Sequence, residues 1–138
     1  MTADAIHILG VDPGKQGAIA ILSNTGNLIA VEDMPDVTGA ALGAALRTLL
    51  DDFAPLTFAA AWIEQVGPMP KQGVRSVWTF GEGYGAVLGA LGALGVPVHH
   101  VTPAHWKRTQ RVTKDKASSR QRATELWPEH AGLFRRIK

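Results

Sequence analysis

The chain of 138 residues contains no cysteine. This absence excludes disulfides, cysteine nucleophiles and thiolate zinc sites together, and leaves oxygen and imidazole as the ligands for any metal. Long hydrophobic runs are missing as well: the longest nearly uncharged stretch, AVLGALGALGVPV from Ala86 to Val98, is well short of the ~20 residues that cross a bilayer. The opening MTADAIHI lacks the basic start and long apolar core of a secretory signal. These absences lead us to expect a soluble intracellular protein with no membrane partner. At this length one domain, residues 1–138, is the natural expectation, burying roughly two thirds of its unfolded surface.

Positive charge is scarce in the first half. Residues 1–66 hold two basic side chains, Lys15 and Arg47, against eight acidic ones, while residues 67–138 hold twelve basic against four acidic. The halves therefore carry net charges of −6 and +8 with histidine neutral. A basic half points to a polyanion, and nucleic acid is the commonest such partner; a solvated basic surface is the plainer reading.

What is present reads as a mixed α/β fold. IHILGVD is a buried strand, GAIAIL its hairpin partner, and NLIAVEDM a third strand after the turn at residues 24–26. Apolar residues at 42, 45, 46, 49, 50 and 53 mark one face of a helix over Gly39–Phe53. A crossover helix would deliver TFAAAWIEQV, residues 57–66, parallel to the first strand. GPMPKQGVRS, residues 67–76, is a polar loop, and Val74–Leu94 has helical length. Gly81, Gly85 and Gly89 recur along one face of that helix, each costing about 1 kcal/mol relative to alanine, so close packing of this face in the core is expected, with a ligand contact as the alternative and a helix–helix dimer contact using the same face. VPVHHV is a fifth strand, TPAHW starts a short turn or helix, Gln110–Ser119 is a loop, and Ser118 or Ser119 caps a last helix that runs to Trp127. Three antiparallel strands followed by parallel ones, flanked by helices, make a ribonuclease H-like mixed sheet.

Two of these strands end in a carboxylate, Asp12 and Glu64. If strands one and four pair in parallel, the two acids are neighbours at one end of the sheet, and a divalent cation relieves their repulsion. Magnesium suits such a pair because it prefers oxygen and retains several waters. Taken singly, each acid has a plainer explanation: Asp12 opens a Pro-Gly turn, where aspartate hydrogen-bonds locally, and Glu64 merely ends a strand. Trp78, Phe80 and Tyr84 stand at the start of the long helix, where core packing is the first expectation and base stacking the second. His99 and His100 are adjacent on a strand, so they point to opposite faces and at most one faces the carboxylates. His7 reads as an ordinary half-buried histidine.

The segments GVDPGKQGAIAIL, WIEQVGPMPKQGVRSVWTFGEGYGAVLGAL and VHHVTPAHWK, in this order, resemble the RuvC-type Holliday-junction resolvases, particularly the phage and organelle branch with its Met-Pro-Lys-Gln-Gly loop. The resemblance runs from about residue 7 to about residue 130. It implies a homodimer, Mg2+ or Mn2+ as cofactor, and paired symmetric nicks in four-way or otherwise branched DNA, in the cytoplasm of a bacterial or phage-infected cell or in an organelle. Asp12 and Glu64 fall on the first two catalytic and metal-binding carboxylates of that pattern. Lys71 and Lys107 match basic positions, and Gln72, Arg75, Lys114 and Lys116 join them as expected DNA contacts. An isologous contact through the glycine-faced helix is the expected dimer.

One part of the pattern is not matched. The resemblance implies four acids, the last two on a C-terminal helix, whereas Asp115 and Glu125 come too early and Glu129 sits beside Pro128. The expectation is a domain without the helix that completes the site, binding junctions and cutting them weakly. Two rival readings stand beside this one. The first is a non-catalytic branched-DNA-binding module, selected by binding without cleavage. The second is an actin-like ATP-binding domain, which would retain ATP; against it, Gly81-x-Gly83-x-Gly85 has the wrong spacing for GxGxxG and no second phosphate loop is evident.

Overall fold

The structure, a computed structural model, describes residues 6–135. The first five residues of the MTADAIHI segment and the last three residues, Arg136 and Lys138 among them, lie outside the described residues. By contacts the chain divides at the end of the fifth strand into two compact parts, residues 1–100 and 101–138.

The first part is the sheet and its two long helices. Strand β1 (Ile6–Asp12) pairs antiparallel with β2 (Ala18–Ser23), which pairs antiparallel with β3 (Leu28–Asp33), so the expected meander is present. Helix α1 (Gly39–Asp51) crosses over to β4 (Thr57–Glu64), which lies parallel to β1. Helix α2 (Val74–Ala93) leads on to β5 (Val98–Val101), and the strand order is β3-β2-β1-β4-β5. This is the ribonuclease H-like mixed sheet expected from the sequence.

Side-chain alternation decides which face is core. Leu9 and Val11 of β1, Ile19 and Ile21 of β2, and Ala61 and Ile63 of β4 are buried. Leu42, Leu46 and Leu50 of α1 and Val87 and Leu91 of α2 belong to the same cluster. Each Leu or Ile taken fully out of water contributes about 1.5–3 kcal/mol, so this face holds the sheet and both helices together. The other parity, Gly10 and Asp12 on β1 and Trp62 and Glu64 on β4, therefore stands on the opposite face.

Several expectations are corrected. The glycine face of α2 is not core: among the described residues a Cβ built at Gly81, Gly85, Gly89 or Gly92 meets nothing within 4 Å beyond its own turn of helix, and the four residues are exposed. The residues that bury α2 are Val87 and Leu91, on its other side. Trp78 is not core either, being 72 % exposed, whereas Phe80 and Tyr84 stack on each other with ring centroids 6.1 Å apart. His7 is buried outright at the start of β1, and its Nδ1 has no hydrogen-bond partner among the described residues.

The second part contains α3 (Pro103–Gln110), α4 (Lys116–Leu126), a 3-10 turn at Pro128–His130 and the short α5 (Ala131–Phe134). Thr102 caps α3 by accepting a hydrogen bond from the His105 amide at 3.2 Å. The cap of α4 is Asp115, which accepts from the Ala117 amide at 3.0 Å, so the helix starts earlier than the expected Ser118 or Ser119. Ser118 instead ties the preceding loop down, accepting from the Thr113 amide at 3.0 Å and donating to the Asp115 carbonyl at 2.7 Å. Among the described residues no helix is long and apolar enough to cross a membrane.

Candidate functional site

The parallel register fixes the neighbourhood of the two strand-end acids. Gly10 pairs with Trp62 and Val11 with Ile63, and the next residue on each strand is Asp12 and Glu64. Both carboxylates therefore leave the same face of the sheet at the C-terminal ends of adjacent parallel strands. In open α/β sheets this is where ligands bind.

A compact turn holds Asp12 in place. Its Oδ1 accepts from the Gly14 amide at 3.3 Å, so the local hydrogen bond expected of an aspartate before Pro-Gly is made. Gly17 closes the turn by donating to the Gly14 carbonyl at 2.8 Å, while its own carbonyl accepts from the Met34 amide at 3.0 Å. The chain packs so tightly here that a Cβ on Gly17 would lie 2.1 Å from the Asp12 carbonyl oxygen and 2.8 Å from that of Gly14. Lys15 at the tip pairs with Asp36 at 3.7 Å; both side chains are exposed, so the pair is worth at most about 1 kcal/mol.

The loop after Glu64 is also built from short-range contacts. The Met69 amide donates to Gln72 Oε1 at 3.1 Å and the Gln72 amide donates back to the Met69 carbonyl at 3.2 Å. Lys71 between them has a left-handed backbone, φ 68°, uncommon for a residue with a side chain. Gln72, expected to contact DNA, thus spends its side-chain oxygen on the loop. Lys71 and Arg75 are exposed, and Arg75 stands in the first turn of α2, where the helix dipole disfavours a cation and favours an anion. A cleft of about 130 Å³ separates the loop from α2, with Pro68, Phe80 and Tyr84 in its wall. Burial pushes the Tyr84 phenol above its ordinary pKa of 10.0.

The remaining expected contacts belong to the second part. Lys107 is in the last turn of α3, its ammonium 5.7 Å from the centre of the Trp106 ring. Lys114 lies in the loop before α4 and Lys116 is the first residue of that helix, both exposed. The other acids of this part have local partners: Asp115 caps α4, Glu125 pairs with Arg122 at 3.3 Å, and Glu129 lies 3.9 Å from His130. Among the described residues no group of three or more His, Asp or Glu side chains is placed to hold a metal.

Sequence reasoning passes over Trp62, which shares the carboxylate face two residues before Glu64. Its indole stacks on His99, with centroids 4.8 Å apart and planes 26° from parallel. His100 instead approaches Tyr84 at 6.3 Å, so the two histidines take opposite faces as expected, and His99 is the one on the side of Asp12 and Glu64. The signal was present as the two-residue strand period counted back from Glu64.

No protein-family model matches the sequence, and no curated protein matches it either. Solved structures do resemble the fold. Thermus thermophilus RuvC in complex with a Holliday junction substrate superimposes with a TM-score of 0.65 at 19 % identity, over 89 % of this chain and 79 % of that one. A second T. thermophilus RuvC structure gives 0.63 at 19 % identity, over 96 % of this chain and 84 % of the other. The chain thus has a RuvC-like, ribonuclease H-like fold, with Asp12 and Glu64 at the ends of its two adjacent parallel strands.

Proposed function

We propose that this protein is a structure-selective endonuclease that resolves four-way DNA junctions by metal-dependent phosphodiester hydrolysis, and that Asp12 and Glu64 are its catalytic carboxylates. The observation that carries the reading is their juxtaposition at the ends of β1 and β4, within a fold like that of a protein solved on a Holliday junction. The Met-Pro-Lys-Gln-Gly loop supports the finer assignment to the phage and organelle branch.

The donor set fits a hydrated Mg2+ or Mn2+: two hard carboxylates, with substrate phosphate and water for the remaining positions. When bound, the ion supplies charge stabilisation on the phosphodiester and a more acidic water. Asp12 and Glu64 hold it at the sheet end, Asp12 with its orientation fixed by the Gly14 amide. Lys71, Arg75, Lys107, Lys114 and Lys116 contribute phosphate contacts, which give affinity and salt dependence but little sequence preference.

A homodimer is part of this reading. Val74, 87 % exposed, and Trp78 lie on the same side of α2 as the bare glycines. Antiparallel pairing about the midpoint of Gly81 and Glu82 sets Trp78 against the partner's Gly85 and Val74 against the partner's Gly89. Such an isologous contact matches the near two-fold symmetry of a junction.

The test is cleavage of end-labelled four-way junction and linear duplex with Mg2+ or Mn2+, beside Asp12→Asn. Symmetric nicks lost in the variant support the proposal; equal nicking by the variant refutes it. Because no third metal-ligating side chain joins the pair among the described residues, a second reading is a junction-binding module without cleavage. Tight, junction-selective binding with no nick at any metal concentration selects it.

A further inference from the structure

Strand β3 is the edge of the sheet opposite β5, and among the described residues no strand pairs with its outer side. An edge strand turns the N–H and C=O of every second residue away from the sheet, where another strand can take them up. The register with β2 sets which side chains accompany this edge. Ala30 and Glu32 pair with Ile21 and Ile19, which are buried in the core, so they stand on the face that α1 covers. The register skips Ile29, which leaves residues 30–33 as the regular length of edge.

A groove of about 440 Å³ lies along this edge, between Glu32 on β3 and Ala45, Thr48, Leu49, Asp52 and Phe53 at the C-terminal end of α1. Ala45, Leu49 and Phe53 are half-buried and form an apolar floor, while Glu32, Thr48 and Asp52 are exposed at its rim. Three sources of negative charge converge there. Two are the carboxylates of Glu32 and Asp52, and the third is the negative end of the α1 dipole, which has no basic residue in its last turn. Lys15 and Arg47, the two cations of residues 1–66, are paired elsewhere, with Asp36 and Asp51 at 3.7 Å each. Among the described residues no ion pair takes up Glu32 or Asp52.

An apolar floor under an acidic rim suits a side chain with an aliphatic stem and a positive head, as in lysine and arginine. The volume lies within the about 300–1,000 Å³ of ligand clefts. The open edge supplies main-chain partners to a backbone carrying such side chains, and the strand period turns every second one toward the groove. A second copy offers the wrong charge, because its own β3 brings the same acids to the contact. We infer that the β3 edge and the groove beside it form a docking site for an extended basic segment of a partner protein, which adds a strand to β3 and lays alternate Lys or Arg side chains between Glu32 and Asp52. This goes beyond the nuclease reading and does not depend on it. Main-chain pairing supplies affinity and the groove supplies the preference for basic side chains. Asp12 and Glu64 leave the opposite face of the sheet, so the docked segment does not cover them.

The test uses the full chain and end-labelled peptides of about six residues, the usual length of a strand. The first alternates Lys and Thr, the second is the same peptide N-methylated at every second amide, and the third carries Glu in place of Lys. Binding is followed by fluorescence anisotropy at low salt, and its place by amide hydrogen exchange. Wild type is expected to bind the Lys/Thr peptide with a submillimolar Kd and neither of the others, and binding should slow exchange within residues 30–33. Glu32→Lys should bind about fivefold to thirtyfold more weakly, the effect of losing one attraction and gaining one repulsion across a strand pair. Asp36→Lys makes the same charge change outside the groove and should stay within about twofold of wild type. Circular dichroism checks that each variant is folded; if Glu32→Lys is not, the N-methylated peptide and the exchange pattern decide. Equal binding of the N-methylated peptide overturns the docking site, by showing that the groove takes amines without strand addition. Equal weakening in Asp36→Lys overturns it as well, by showing diffuse attraction to an acidic surface. So does absence of binding by wild type, or binding that leaves residues 30–33 exchanging as before. Protection of those residues in the free protein that rises with protein concentration assigns the edge to a second copy and also overturns it. Junction nicking judges the nuclease reading separately from all of these outcomes.

Discussion

Substituting Gly17 tests how the turn at the end of β1 sets the position of Asp12. An alanine methyl at this position would sit 2.1 Å from the Asp12 carbonyl oxygen, 2.8 Å from the Gly14 oxygen and 2.9 Å from the Asp12 carbonyl carbon. All three neighbours are backbone, so no side chain can swing aside. The turn must open by about 1 Å, straining the Gly17-to-Gly14 hydrogen bond at 2.8 Å and the Met34-to-Gly17 bond at 3.0 Å. Overpacking of this kind costs about 1–3 kcal/mol, against a gain of at most about 1 kcal/mol from a stiffer unfolded chain. The matched control is Gly14→Ala, where the added methyl meets only Asp12 Oδ1, at an ordinary 3.7 Å. Urea unfolding followed by tryptophan fluorescence should show Gly17→Ala less stable by about 1–3 kcal/mol, with Gly14→Ala within about 0.5 kcal/mol of wild type. In a nicking assay of the folded protein, Gly17→Ala should also lose activity, because the displaced backbone carries Asp12. Wild-type stability in Gly17→Ala would mean that the turn has room the structure does not have, and the account of a fixed Asp12 would fail.

Two further outcomes follow from the packing. Asp115→Ala removes the cap of α4 and should lower stability by about 0.5–2 kcal/mol in thermal melts read at 222 nm; a change below that range would show that the Ser118 contacts alone hold the helix start. Tyr84 is protonated more tightly when folded than when unfolded, since burial raises its pKa above 10.0. Its share of stability is therefore complete below pH 10.0 and is lost as pH rises through the higher folded value. Tyr84→Phe should flatten the alkaline loss relative to wild type, and identical pH–stability curves would contradict the assignment.

Most of the first part was legible because its elements repeat a period. Alternation along β1, β2 and β4 and the 3–4 spacing of Leu42, Leu46 and Leu50 each identify an element and the face it buries, and parallel pairing of β1 with β4 then follows from the intervening helix. Asp12 and Glu64 were legible as neighbours for the same reason. What periodicity could not settle was which side of a small-residue helix is inside. Val87 and Leu91 outweigh the glycines on α2, since burying a methylene-rich side chain removes more surface from water than close backbone approach does. The α4 cap was misplaced because Asp115 and two serines compete within five residues, and a carboxylate accepts the exposed amides at least as well as a hydroxyl. Trp62 went unnoticed because an aromatic inside a strand reads as core until its neighbours across the sheet are known, and one of them, Gly10, has no side chain to cover it.

The bare face of α2 also sets a limit on the stability of the single chain. Among the described residues, alanine at Gly81, Gly85, Gly89 and Gly92 would meet no atom within 4 Å beyond its own turn of helix, and each replacement adds about 1 kcal/mol of helix propensity. The chain therefore forgoes about 4 kcal/mol in one helix, a large share of the roughly 5–15 kcal/mol by which an ordinary domain exceeds its unfolded state. For an engineer this is accessible thermostability. In natural variation, alanine should accumulate at these positions wherever nothing needs to approach the helix backbone, so their composition in descendants of this chain would record whether that approach is still in use.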